Sequence, residues 1–249
     1  MMETNNIDCC NPFSENPGDI WTRLEHVGRY LFAKDFLYSH SCKTVIDAAS
    51  GIGYGSKILA DGDLKVLAVD KNGMYLNECK PYAETMCINL DSPEMHKRLP
   101  VVDAVVCFET LQYLQFPYTF LEKIAANVKP EGWIILSFPN VAFEEFNGDG
   151  TNMNLCYLQT IDDYDVWLSL KKLGFTNVQM LGQSLCHKMY EKQRSVCNYT
   201  MLLSANIDNA FKYDEMSIRS LSRLFAYPDD TQPEESRSFI LLAQKTEKL

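Results

Sequence analysis

The stretch that most constrains this chain runs Val45-Ile46-Asp47-Ala48-Ala49-Ser50-Gly51-Ile52-Gly53-Tyr54-Gly55. A short apolar run ends in an acid, a glycine-rich turn follows, and Ser56-Lys57-Ile58-Leu59-Ala60 reads as the start of a helix. Strand, glycine turn and helix in that order form the first unit of a nucleotide-binding α/β fold. Glycine puts no Cβ between backbone and ligand. The helix N-terminus adds N–H groups that have no partner inside the helix. Two ligand classes compete for such a turn. A dinucleotide site reads G-x-G-x-x-G or A, but here the last position is Ser56 and the glycines fall as G-x-G-x-G.

An acid, Asp47, stands four residues before the first glycine. The pattern D-x-x-x-G-x-G-x-G resembles motif I of class I S-adenosylmethionine-dependent methyltransferases, with a domain like methyltransferase types 11 and 25. S-adenosylmethionine has an amino-acid end in place of a pyrophosphate. The resemblance implies that Asp47, Ala49, Gly51, Gly53 and Tyr54 border it. A nicotinamide enzyme and a glycine turn without ligand are the competing readings. Lys65-Val66-Leu67-Ala68-Val69-Asp70 then reads as a buried strand ending in an acid 19 residues beyond Gly51. A carboxylate there can accept both hydroxyls of a ribose. Both cofactor classes carry a ribose, so Asp70 argues against an empty turn more than it chooses between them. Lys71 follows, close to where the adenosine would lie.

Five further segments resemble the same family in register, over about residues 20 to 140. Ile20, Leu24, Val27 and Leu31 recur at helical spacing behind Asp19, a suitable N-cap, which predicts an amphipathic helix over 19–38. Glu25-His26-Val27-Gly28-Arg29-Tyr30 resembles the E-H-x-x-R-Y of one branch. The resemblance implies a helix that covers the cofactor, with Arg29 on its carboxylate and Tyr30 over the sulfonium. The alternative makes Tyr30 a core aromatic and Arg29 a surface charge. Thr85 to Leu90 reads as a third strand, and the family often places an acid after it, at the adenine edge; Leu90 and Asp91 fill those places. Asp103 to Phe108 reads as a fourth strand. Phe108 and Glu109 follow its line into the site, and Gln112-Tyr113 stands where the family has E-H. That departure puts a histidine-based mechanism in doubt at this spot, and Tyr113 becomes an aromatic wall or a hydroxyl donor. Lys129-Pro130-Glu131-Gly132 is close to K-P-G-G. Ser137-Phe138-Pro139-Asn140 resembles the S-x-P-N that ends the fifth strand.

The remaining pattern completes an α/β, Rossmann-like three-layer sandwich. It predicts a mostly parallel seven-stranded sheet, with strands at Phe175–Leu181 and Phe239–Ala243 and the last one antiparallel. Asp162, Asp163 and Asp165 suit a helix's first turn better than a metal, and no metal is expected. Residues 1–18 read as a loose tail and 19–249 as a single domain. Residues 183–237 are too long for a bare connection, so they read as a packed insertion serving as a substrate lid or a homodimer contact.

Net charge is −10, which argues against nucleic acid as substrate. The short basic stretch Lys188 to Arg194 reads as a solvated helix face. The nine cysteines include no C-x-x-C, and no apolar run approaches membrane-spanning length, so the expectation is a cytoplasmic chain with reduced thiols. The expected reaction uses S-adenosylmethionine, leaves S-adenosylhomocysteine, and methylates an oxygen of a small molecule, sugar or glycan. A peptide acceptor, a non-catalytic S-adenosylmethionine-binding protein and an NAD-dependent oxidoreductase are the alternatives. Candidates for a catalytic group are His26, His187, Glu109 and Tyr113; the sequence singles out none, and each histidine has a structural reading beside it.

Overall fold

A computed structural model describes residues 12–13, 20–183 and 214–246. The expected tail falls almost wholly outside these residues, as do Asp19, His187, the Lys188 to Arg194 stretch and more than half of the expected insertion.

Seven strands form one sheet: β1 (Thr44–Ala48), β2 (Lys65–Asp70), β3 (Glu84–Cys87), β4 (Val102–Phe108), β5 (Val128–Pro139), β6 (Phe175–Gln183) and β7 (Ser238–Lys245). Their order is β3-β2-β1-β4-β5-β7-β6. Neighbours from β3 to β5 are parallel, whereas β7 runs antiparallel between β5 and β6. Among the described residues the helices are α1 (Ile20–Ser39), α2 (Tyr54–Ala60), α3 (Gly73–Cys79), α4 (Met95–Arg98), α5 (Pro117–Ile124), α6 (Asp163–Lys172) and α7 (Glu215–Phe225). This is the three-layer, mostly parallel arrangement that the sequence predicts.

The central strands are apolar on both faces because both faces are covered. Val45, Ala104, Val106, Ile135, Ile240 and Leu242 point into one core, with Leu24, Val27 and Leu31 of α1 and Ile58 of α2. Ile46, Val105, Ile134, Leu136 and Leu241 point into the other, with Phe120 and Leu121 of α5 and Val166 and Leu170 of α6. The alternation follows from the two-residue side-chain period of a strand.

Several boundaries differ from the sequence expectation for local reasons. Residues 73 to 84 can form a helix by their pattern, but α3 stops at Cys79, because Pro81 has no N–H with which to continue it. Leu121, Ile124, Ala125 and Val128 are all buried. Their spacing reads as one helical stripe, but they span α5, a 3-10 turn at Ala125–Asn127 and the first residue of β5. Lys129 to Gly132 does not precede β5 but bulges within it: Val102 pairs with Val128 and Ala104 pairs with Trp133. Asp103 sits opposite that bulge and accepts from Lys129 Nζ at 2.7 Å and from the N–H groups of Lys43 and Thr44. Partial burial opposes its charge, yet these bonds hold its carboxyl down at about 2. Asp162 caps α6 by accepting from the Asp165 N–H at 3.1 Å, as first-turn acids do.

α7 comes from the segment between β6 and β7 and docks on α1. Its Ile218, Ser222 and Phe225 are buried, one helical face. Arg223 reaches Asp35 of α1 in a two-pronged pair at 2.5 and 3.1 Å, and Lys57 of α2 meets Glu215 at 2.7 Å. Gly28 makes the close approach possible. A Cβ on Gly28 would lie 2.2 Å from the carbonyl oxygen of Ala226. That oxygen is backbone and cannot swing aside. Gly28→Ala should therefore cost stability even though alanine is the better helix former. A net loss of about 1–2 kcal/mol in urea unfolding is expected, and an unchanged midpoint would show that the two helices can part freely.

Candidate functional site

The site lies at the C-terminal ends of β1, β2 and β4, where the strand order reverses and open α/β sheets bind ligands. The turn after β1 carries positive φ at Ala49 (62°), Gly51 (55°) and Gly53 (82°). Gly53 tolerates no side chain: a Cβ would meet Cys79 Sγ at 2.3 Å and the Tyr82 hydroxyl at 2.9 Å. Asp70, at the end of β2, faces this turn. Its Oδ2 accepts from the Gly51 N–H at 3.0 Å and its Oδ1 from the Asn72 N–H at 2.8 Å. Ser50 Oγ is buried beside them without a hydrogen bond.

Asp47 is buried beneath the turn. The Tyr30 hydroxyl donates to its Oδ1 at 2.9 Å and the Ser56 hydroxyl to its Oδ2 at 2.6 Å. Burial pushes its carboxyl up to about 6 against the pull of those two bonds, and the charge of Asp70 adds to the rise. Tyr30 is thus a core residue, edge-on to Tyr54 and Phe108 with ring centroids 5.5 and 4.9 Å away.

Arg29 is not a surface charge; it is 3% exposed. Its Nη1 contacts Glu109 Oε1 at 2.8 Å and Ser137 Oγ at 3.3 Å. Its Nε donates to Gln183 Oε1 at 3.1 Å and, more weakly, to the Glu25 carbonyl at 3.3 Å. Glu109 has φ of 47°, a left-handed backbone unusual for a residue with a side chain. Its N–H donates to Ser137 Oγ at 2.9 Å, and its carboxylate accepts from Ser137 Oγ and from Gln112 Nε2, both at 3.1 Å. Gln183 in turn donates to the carbonyls of Ala226 and Glu25 at 2.6 and 2.9 Å.

A cavity of about 490 Å³ opens beside this network. Its walls include His26 and Arg29 of α1, Glu109 after β4, and Glu144, Asn152 and Tyr157 of the loop after β5. His26 Nδ1 and the Tyr54 hydroxyl share a hydrogen bond of 2.7 Å, which joins the cavity wall to the glycine turn. Burial, helped by the charge of Arg29, lowers the imidazole to about 3, so His26 is neutral at physiological pH.

The other predicted residues fall around this centre in different ways. Leu90 and Phe108 are buried, and Lys71 is exposed past the end of β2. Asp91 Oδ1 accepts from the N–H groups of Gln115 and Phe116 at 3.0 and 3.2 Å, which ties it to the segment before α5. Tyr113 stands edge-on to Tyr157 at 5.2 Å rather than on the cavity wall. Its hydroxyl is pushed well up, first by burial and then by Tyr157 and Glu109. Ser137, Gln112 and Gln183 were not foreseen as site residues. The first two stand inside family-like segments, S-x-P-N and the position of E-H, so their place in a motif was a usable signal. Gln183 carries none, being a polar residue at a strand end. Among the described residues no group of His, Cys, Asp or Glu is placed to hold a metal ion, and no helix is long and apolar enough to cross a membrane.

Comparison with known proteins agrees with this geometry. Residues 46–136 match a family model described as a methyltransferase domain. A probable S-adenosylmethionine-dependent methyltransferase of Mycobacterium tuberculosis is 27% identical over 146 residues, 57% of this chain and 52% of that protein. The mitochondrial ubiquinone biosynthesis O-methyltransferase of Schizosaccharomyces pombe is 27% identical over 158 residues, 55% of each chain. The chain thus spans about half the length of the curated relatives it matches. Among solved structures, an S-adenosylmethionine-dependent methyltransferase from Archaeoglobus fulgidus superposes with TM-score 0.56 at 16% identity, over 90% of this chain and 99% of that one. Magnesium protoporphyrin IX methyltransferase from Synechocystis, with S-adenosylmethionine bound, gives TM-score 0.57 at 13% identity, over 95% and 88%. These two likenesses speak for the fold. The matched domain and its motifs make residues 46–136 similar to S-adenosylmethionine-dependent methyltransferases.

Proposed function

We propose that the chain transfers a methyl group from S-adenosylmethionine to an oxygen of a small molecule, sugar or glycan. One observation carries this reading: Glu109 directly follows β4, which pairs with the glycine-turn strand, and also lines the cavity, so a donor cleft and an acceptor space would share a wall. The residues present fit the cofactor. Each oxygen of Asp70 accepts one backbone N–H and keeps a lone pair for a ribose hydroxyl. Gly53 leaves open the space that a Cβ would fill. Gly51, Gly53, Asp70, Lys71, Leu90 and Asp91 would hold the nucleoside. Arg29, Tyr54 and Phe108 would border the methionine end.

When bound, S-adenosylmethionine supplies a methyl group already activated by its sulfonium. The protein has to align the acceptor with it and keep water out. The ring faces of Tyr54 and Phe108 suit a cationic neighbour. Of the candidate bases, Glu109 is the carboxylate on the shared wall, fixed in place by Arg29, Ser137 and Gln112. It would take the acceptor's hydroxyl proton, and the bound donor would supply the methyl group. His26, with its imidazole near 3, is a poor proton acceptor and serves as a hydrogen-bonding wall. Asp47 acts through others: it fixes Tyr30 and Ser56 and so shapes the turn.

Calorimetry tests the cofactor. Binding of S-adenosylmethionine and S-adenosylhomocysteine but not NAD is expected; no heat with either sulfur ligand would sink the reading. Turnover of the donor in the presence of an acceptor separates an enzyme from a protein that only binds it. Asp70→Ala should weaken S-adenosylhomocysteine by about 1–2 kcal/mol through the lost charge-assisted bonds, and an unchanged Kd would reject the ribose role.

Asp47 predicts a pH signature. Its folded carboxyl, near 6, lies above the ordinary 3.8, so the folded state binds the proton more tightly. The stability this confers is full below the unfolded value and is lost as pH rises from about 4 to 6, at up to about 1.4 kcal/mol per pH unit. Asp47→Asn removes that slope. The wild type should therefore gain on the variant as pH falls across this window, and a constant difference would refute the buried, raised acid.

A further inference from the structure

The cavity wall carries four glutamates and two arginines. Glu25, Glu109, Glu144 and Glu145 line it against Arg29 and Arg237. Arg29 is buried and engaged by Glu109 at 2.8 Å. Burial raises the Glu144 carboxyl above its ordinary value, opposed by the neighbouring Asn152 amide and reinforced by the charge of Glu109. An anionic acceptor entering here would meet like charge, which costs affinity.

Two atoms of this wall lack partners. Glu144 Oε2 and Asn152 Nδ2 are both buried; the amide lies near enough to lower the carboxyl, yet neither atom has a partner at full hydrogen-bonding geometry. One is an acceptor and the other a donor, and they belong to adjoining side chains. A buried polar atom without a partner is costly unless something supplies one. A hydroxyl can satisfy both atoms at once, since it donates to the carboxylate and accepts from the amide. An ammonium group can serve only the first.

The segment that carries these residues is a tight strap. Phe146 and Asn152 form an antiparallel bridge, the Asn147 N–H donates to the Thr151 carbonyl at 2.8 Å, and the Met153 N–H donates to the Glu145 carbonyl at 2.8 Å. The strap and its continuation leave large apolar side chains in water: Phe143, Phe146, Met153, Leu155 and Leu158 are 42% to 87% exposed. Phe143 and Met153 also line the cavity, so the apolar rim is continuous with its mouth. Clustered exposed apolar side chains beside a polar cavity mark a binding surface rather than chance exposure.

We infer that the methyl acceptor is amphipathic, with an uncharged hydroxyl-bearing head seated between Glu144 and Asn152 and an apolar arm lying along the rim from Phe143 to Leu158. This rests on the methyl-transfer reading above and adds the acceptor's chemistry to it.

The test uses the full chain saturated with S-adenosylhomocysteine and three probes that share one apolar arm: 3-phenyl-1-propanol, 3-phenylpropylamine and 3-phenylpropionate. Affinities are read by protein-observed NMR titration. The alcohol should bind at least about fivefold more tightly than the carboxylate. Asn152→Ala should weaken the alcohol severalfold and leave the amine little changed. Phe143→Ser should weaken all three, and Glu144→Gln should narrow the gap between alcohol and carboxylate. Equal or tighter binding of the carboxylate overturns the inference. Tightest binding of the amine overturns the hydroxyl assignment, and no binding of any probe overturns the amphipathic acceptor. The three probes on the wild type decide the matter even if a variant fails to fold. Binding of S-adenosylhomocysteine is measured in the same samples. Its presence without probe binding removes this inference alone, and its absence removes the methyl-transfer reading itself.

Discussion

The contact on which the site depends is the buried pair of Arg29 and Glu109, 2.8 Å apart. A guanidinium taken out of water costs several kcal/mol unless its donors are met. Here the carboxylate, Ser137 Oγ, Gln183 Oε1 and the Glu25 carbonyl meet them. Each partner comes from a different part of the chain: the end of β4, the end of β5, the end of β6, and α1 itself. One side chain therefore sets the distance between α1 and the strand ends. It also explains the left-handed backbone at Glu109, with φ of 47°. In that conformation the Glu109 N–H reaches Ser137 while the carboxylate turns to Arg29. A strained residue of this kind persists only where its surroundings over-determine it.

The same network accounts for Gln112, where the family-like segment departs from E-H. A glutamate there would set a second carboxylate beside Glu109. Glutamine instead donates to it, at 3.1 Å. The loss of the histidine falls on Tyr113, which pairs with Tyr157 behind the cavity wall. The polar work at the strand ends is shared among Glu109, Ser137 and Gln183, so the departure does not leave a hole in the site.

Much of this was legible in the sequence because it is written in short-range pattern. The apolar runs of β1, β2 and β4 read correctly because both faces of each strand are buried. The places of the glycine turn and of Asp70 at the end of β2 follow from local pattern, because a side chain at Gly53 would clash and Asp70 closes an apolar strand run. Tyr30 and Arg29 were harder. Helical spacing places both on α1, but whether they turn to solvent, cofactor or core depends on Asp47 and Glu109, which lie 17 and 80 residues away. Gln183 was invisible for the same reason: its meaning comes from Ala226 and Arg29, and nothing local marks it. The segment Lys129 to Gly132 has the composition of a turn, yet it is a bulge inside β5 whose partner, Asp103, nothing local marks.

The two halves of the site differ in how they are encoded, and that difference explains why the acceptor is the harder question. A nucleoside is recognised by backbone and by one acid at fixed spacing, so the pattern recurs from chain to chain. The acceptor wall is built from α1, the strap after β5 and residues before β7, brought together only by the fold. Its information lies in which polar atoms lack a partner and which apolar side chains stay in water. Glu144 and Asn152 look like ordinary loop residues in the sequence, and Phe143 and Met153 look like a stray apolar pair. Their chemistry appears only when the bridge between Phe146 and Asn152 sets a donor beside an acceptor at the mouth of a carboxylate-rich cavity. Selectivity against anions and for a hydroxyl then follows from electrostatics and hydrogen-bond balance rather than from any motif.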